Sequence, residues 1–132
     1  MFEIQQHTAD VRLFVQGATP QELYADAMRG MFAIMRSRVG SAQIIRHRIE
    51  IDSVDRTALL VDFLSDILTR SHLNREMYDH AEFESLTETQ AVVNVVGYSP
   101  ARFEQDVKAV TYHEADVRYE NGMWSTMLVF DI

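Results

Sequence analysis

The pair Asn121-Gly122 lies between two alternating runs, "DVRYE" before it and "MWSTMLVF" after it, and no other stretch limits the fold of this sequence as much. An Asn-Gly pair in that setting is the strongest short-range signal for a two-residue hairpin, because both central residues must take positive φ. The turn sets a register: Tyr119 opposite Trp124, Val117 opposite Thr126 and Tyr112 opposite Asp131. Strand alternation then groups Asp131 with Tyr112, Glu114 and Asp116 on one side. His113, Val117, Tyr119, Trp124, Leu128 and Phe130 fall on the other. The stretch "KAVTYH", Lys108 to His113, is thereby brought beside "FDI", Phe130 to Ile132.

The rest of the sequence supplies partners for that hairpin. Val11, Leu13 and Val15 alternate with Asp10, Arg12, Phe14 and Gln16 as a strand that Gly17 ends. "TPQE" opens a helix: Thr19 caps it, Pro20 takes the first turn and Glu22 closes a capping box. Its apolar stripe, Leu23, Tyr24, Ala27, Met28, Met31, Phe32 and Met35, has the period of a core-facing helix. A loop is expected around Gly40, followed by a strand in which Ile45, His47, Ile49 and Ile51 share one face. "DRTALLVDFLSDILTRS" then reads as a second helix, with Leu59, Leu60, Phe63, Leu64, Ile67 and Leu68 inward. Its Asp62, Asp66 and Arg70 face solvent, the last two as an i, i+4 ion pair. Met77 to Leu86 and Gln90 to Tyr98 read as strands. The element order makes this an α+β domain with two helices packed on a mainly antiparallel, mixed β-sheet.

Composition excludes several classes of function. The 132 residues are 47% hydrophobic, which suits one domain with a single core. No apolar run approaches the ~20 residues of a membrane span, and no basic-then-apolar leader opens the chain, so a soluble, cytoplasmic protein is expected. With no cysteine, disulfides and thiolate metal sites are ruled out. The formal net charge of −8 opposes stable direct nucleic-acid binding, and no basic stripe stands out against it. No glycine-rich phosphate loop or nucleophile motif points to catalysis. Of the 12 basic residues, Lys108 alone is lysine, a compact ammonium able to meet a phosphate or carboxylate as a point charge.

Three motifs, "HTAD" at His7 to Asp10, "KAVTYH" at Lys108 to His113 and the final "FDI", together resemble the archease family, and the order of elements between them is similar over essentially the whole chain. Archeases are small accessory factors of the GTP-dependent RNA ligase that joins tRNA exon halves. The resemblance implies a metal-binding activator that promotes guanylylation and multiple turnover of that ligase, its protein partner, and is not itself an enzyme. It implies a metal site built from Asp10, the Asp131 side chain and the carboxylate of Ile132. Two carboxylates ~4 Å apart at an effective dielectric of ~20 repel by about 4 kcal/mol, so three converging ones call for a cation or raised pKa values. Oxygen ligands favour Ca²⁺, Mg²⁺ or Mn²⁺.

Around that set, His7 is expected to orient the Asp10 loop, Lys108 to contribute its ammonium, and Tyr112 to donate its hydroxyl to the carboxylates. His113 lies on the opposite strand face from Asp131, packed in the core as readily as serving as a ligand. One segment departs from the family pattern: after Gly97 the chain reads Tyr98-Ser99-Pro100-Ala101-Arg102, shorter than usual and without the family's glutamate and histidine. Two other readings use the same residues: a stand-alone metal-dependent phosphohydrolase, in which the carboxylates activate water, and a generic chaperone or scaffold that needs no metal.

Overall fold

Both helices start on a side chain that accepts a main-chain hydrogen bond and stop on an arginine in the left-handed region. In the computed structural model, which describes residues 1–6 and 10–132, α1 (Pro20–Met35) is capped by Thr19, whose Oγ1 accepts from the Glu22 N–H at 3.1 Å. Glu22 reaches back to the Ala18 N–H at 2.9 Å. Helix α2 (Arg56–Asn74) is capped by Asp55, which accepts from the Ala58 N–H at 2.8 Å. The closing residues are Arg36 and Arg75, at φ 50° and 54°, positions where glycine is the usual choice. Thr19→Ala is expected to cost about 1 kcal/mol and lower the melting midpoint by about 4 °C, measured by thermal circular dichroism.

Among the described residues eight strands form two sheets. β1 (Phe2–Gln6), β2 (Asp10–Gly17), β8 (Met123–Asp131) and β6 (Ala109–Thr111) lie in that order, and β7 (Arg118–Glu120) also pairs with β8. β3 (Ser37–Asp52), β5 (Gln90–Phe103) and β4 (Met77–Leu86) form the second sheet, with β5 central. Every pairing among the described residues is antiparallel. Helix α1 packs on β2 of one sheet and β4 of the other, and α2 lies against β6, β3 and β5. The apolar stripes of both helices are buried as their spacing requires, Met28, Met31 and Met35 included. No helix of the described residues is long and apolar enough to cross a membrane.

The hairpin forms at Asn121-Gly122, with φ 54° and 77°, and Tyr119 faces Trp124 with ring centroids 5.0 Å apart. Its register does not continue to Asp131. Beyond Arg118 the chain leaves the ladder in a turn, where the Ala115 N–H donates to the Tyr112 carbonyl at 3.1 Å and Glu114 takes φ 62°. Threonine hydroxyls satisfy the donors at the break: the Asp116 N–H, which a continuous ladder would have used, goes to Thr126 Oγ1 at 3.0 Å, and the Val117 N–H, which points away from β8, goes to Thr57 Oγ1 at 2.9 Å. Pairing resumes with Thr111 opposite Val129, Val110 opposite Phe130 and Ala109 opposite Asp131. Where an unbroken hairpin would set Tyr112, the structure sets Ala109, three residues earlier.

Two further expectations change in the second sheet. Gly40 lies within β3 rather than in a loop, at a register shift between Val39 and Gln43. β5 runs past Tyr98 to Phe103, so the segment after Gly97 is strand, with Ala101 opposite Val39 and Arg102 opposite Arg38. His47 does share a face with Ile45, Ile49 and Ile51. Its imidazole Nε2 lies 2.7 Å from Oε1 of the buried Glu76, which also accepts from the Tyr78 hydroxyl at 2.6 Å.

Candidate functional site

The inward residues of β2 and β8 determine what faces outward. Val11 pairs with Phe130 and Leu13 with Leu128, and all four are buried. Alternation therefore turns Asp10 and Asp131, which are directly opposite each other, to the outer face. Cβ atoms of such cross-strand pairs lie ~5 Å apart, and like charges in that position oppose pairing. Asp10 is half-buried and its Oδ1 is buried without a hydrogen-bond partner among the described residues. An ionised oxygen left so is costly unless a cation completes it.

Asp131 is exposed but its backbone is held from both sides. β2 lies along one edge, and along the other β6 sets the Ala109 methyl opposite it, while the Lys108 N–H donates to the Asp131 carbonyl at 2.8 Å. Lys108 is thus beside Asp131 as the motif spacing suggests, with its side chain exposed. Ile132 is half-buried and packs against the core, which anchors the chain following Asp131. Two residues along β2, Arg12 Nε is 2.7 Å from Glu114 Oε2, an ion pair that joins the outer face of the sheet to the turn after β6.

The donor set fits a hard cation in part. Among the described residues no three His, Cys, Asp or Glu side chains converge as a metal site. The pair Asp10 and Asp131 supplies two carboxylates, and the buried Oδ1 of Asp10, unpartnered among the described residues, is the feature that a cation would satisfy. His7 lies outside the described residues.

Two expected neighbours are elsewhere. Tyr112 does not face Asp131; its hydroxyl donates to Asp62 Oδ1, whose Oδ2 accepts from Ser53 Oγ at 2.7 Å. That bond to Asp62 raises the Tyr112 hydroxyl above the ordinary phenol range. Asp62, expected on a solvated helix face, is half-buried and ties α2 to the end of β3 and to the turn after β6. The expected ion pair on the same helix does form, with Arg70 Nε 2.5 Å from Asp66 Oδ1. His113 is not packed in the core: it is exposed at the turn, its N–H donating to Thr111 Oγ1 at 3.2 Å. Both corrections follow from the three-residue shift. Sequence reasoning passes over Ala109, the actual neighbour of Asp131, because nothing in an alanine's chemistry marks it.

Comparison with known proteins agrees with this architecture. Residues 2–132 match the model of the Archease protein family (MTH1598/TM1083). A protein archease of Methanosarcina mazei is 26% identical over 99% of this chain and 95% of its own, and one of Methanopyrus kandleri is 29% identical over 96% of each. In fold, the chain is similar to the solution structure of Methanobacterium thermoautotrophicum protein 1598, with a TM-score of 0.78 at 23% identity over 99% of this chain and 98% of that one. It is also similar to the crystal structure of a Thermotoga maritima protein described as an archease and possible chaperone, with a TM-score of 0.70 at 16% identity over 100% and 98%. With a family match that runs from β1 to the residue after β8, the chain belongs to the archease family.

Proposed function

We propose that this protein is a cytoplasmic accessory factor that activates a GTP-dependent tRNA-splicing RNA ligase through a divalent cation held at Asp10 and Asp131. The observation that carries the reading is the outward Asp10–Asp131 pair with its buried, unpartnered Oδ1, in a chain of the archease family. The description of the Thermotoga relative as a possible chaperone supports the coarser part, a protein that acts on another protein.

In this reading Asp10, Asp131 and the carboxyl group of Ile132 would hold Ca²⁺, Mg²⁺ or Mn²⁺ through oxygen alone. A bound cation would supply neutralisation of phosphoryl charge, the gain that guanylylation needs most. The chain's own part is positional. β2 and β6 clamp the Asp131 backbone, so its carboxylate is presented from a rigid strand rather than a loop. Lys108, whose main chain is tied to Asp131, presents its exposed ammonium from the same place and meets a phosphate or carboxylate of the ligase complex.

The test is transfer of labelled GMP to a purified GTP-dependent RNA ligase with substoichiometric amounts of this protein. The labelled fraction should rise, and Asp131→Ala, which removes only an exposed side chain, should abolish the rise. Full stimulation by both Asp10→Ala and Asp131→Ala would overturn the metal-site reading.

A further inference from the structure

The eleven arginines look dispersed in the sequence, yet the fold gathers several at one place. β3 and β5 set Arg38 directly opposite Arg102, an arrangement that like charges oppose unless an anion lies between or beside them. Arg75, at the C-terminal cap of α2, joins them: its carbonyl accepts from the Ala101 N–H at 2.8 Å. Arg38, Arg75 and Arg102 line a surface cavity of about 470 Å³ together with Ser41. A second cavity of about 460 Å³ shares Arg75 and Arg102 and extends along His72 and Phe103. The two cavities adjoin along Arg75, Ala101 and Arg102, which line both, and a His72–Phe103 edge-to-face pair, centroids 6.2 Å apart, stands in the second; together they are termed the groove.

Two acids border the groove. Glu104 pairs with Arg38 and is held below the usual carboxylate range by that bond, with Arg36 and Arg102 adding to the field. Asp106 Oδ1 lies 3.7 Å from His72 Nε2. Arg75 has no acidic partner among the described residues and Arg102 makes no side-chain hydrogen bond among them, so both guanidinium forks are free for a ligand.

We propose that this groove binds the phosphates of a single-stranded RNA, with Arg38, Arg75 and Arg102 on the backbone and the His72–Phe103 edge against a base. Planar guanidinium groups meet phosphate oxygens two at a time, and alternating cationic and aromatic contacts are how single strands are gripped without sequence preference. Two adjoining concavities suit a flexible strand rather than a rigid duplex. The net charge of −8 keeps polyanions off the rest of the surface, which confines binding to this groove. Five residues separate Phe103 from Ala109, the neighbour of Asp131, so the groove's end lies within about 25 Å of Asp131. The inference stands on the groove alone and can fail while the activator reading survives.

Fluorescence anisotropy with a labelled single-stranded RNA of about a dozen nucleotides tests it. Three phosphate contacts predict that raising salt from about 50 to about 200 mM weakens binding roughly 20-fold. The double variant Arg75→Gln/Arg102→Gln should bind at least roughly tenfold more weakly at low salt and lose most of that salt dependence, down to about threefold. It should melt like the parent, since both side chains are exposed. Arg118→Gln, which removes an exposed arginine outside the groove, should bind RNA as the parent does. No anisotropy change at about 50 mM salt, or equal binding by the double variant, overturns the proposal. So does capture of a labelled polyglutamate peptide in place of RNA, lost in the same variant, which would make the groove a dock for an acidic protein.

Discussion

Alanine at Gly97 is expected to unfold this protein or take a large share of its stability. A Cβ there would lie 1.8 Å from the Met77 carbonyl oxygen, 2.7 Å from its carbon and 2.8 Å from the Tyr78 Cα. These are backbone atoms, so no rotamer change can relieve the clash. Gly97 sits in β5, between Ile45 of β3 and Tyr78 of β4, beside the register shift that β4 makes between Tyr78 and His80. Making room means parting β4 from the central strand. Overpacking of this kind costs about 1–3 kcal/mol and more when backbone must move, against a total of about 5–15 kcal/mol. The control is Gly40→Ala in β3, where a Cβ meets nothing within 4 Å and the change should fall within about 1 kcal/mol of neutral. Urea denaturation of the two variants decides the matter: a Gly97→Ala midpoint near the parent's would show that the strands are not in such close approach.

Asp131→Asn is expected to act in opposite senses with and without divalent ions. In chelator the variant should melt no lower than the parent, because it removes one of two like charges that face each other across β2 and β8. With Ca²⁺, Mg²⁺ or Mn²⁺ at about 100 times the dissociation constant, the parent should gain about 2.7 kcal/mol and the variant almost nothing. The ligase-labelling assay should follow the same order, with stimulation reduced at least about tenfold, as for losses of metal-site support. If none of the three ions moves the parent's melting midpoint, the two carboxylates are a surface feature and the cation reading fails. The sign of the chelator experiment separates this from general damage, since a merely structural Asp131 would lower the midpoint when replaced.

Much of the architecture was legible because its causes are local. Thr19, Pro20 and Glu22 start a helix through bonds that reach three or four residues. Val11, Leu13 and Val15 bury one side of a strand through a period of two. The two helical stripes, the Asn121-Gly122 turn with Tyr119 against Trp124, and the place of Asp10 on a strand's polar side were all available from spacing. The boundaries that failed were those where no local residue enforces the expected change. Gly40 is tolerated within a strand that bulges between Val39 and Gln43, and Pro100 does not stop β5, whose pairing with β3 carries it to Phe103.

The neighbours of the carboxylate pair were legible only in part. That Lys108 and Asp131 meet follows from motif spacing, but the residue opposite Asp131 does not. It is Ala109 rather than Tyr112 because the chain turns out of the ladder after Tyr112, where Thr126 of β8 takes the Asp116 donor and Thr57 of α2 holds the Val117 N–H. Tyr112 then bonds Asp62, 50 residues away, and His113 is exposed at the turn. The arginine groove is likewise assembled from the ends of α2, β3 and β5. Helices, strand faces and the tight turn follow from residues a few positions apart and so could be read from the order of residues alone. Which acids, hydroxyls and arginines meet emerges in the folded chain, because those meetings join distant segments through packing and main-chain hydrogen bonds that no local pattern encodes.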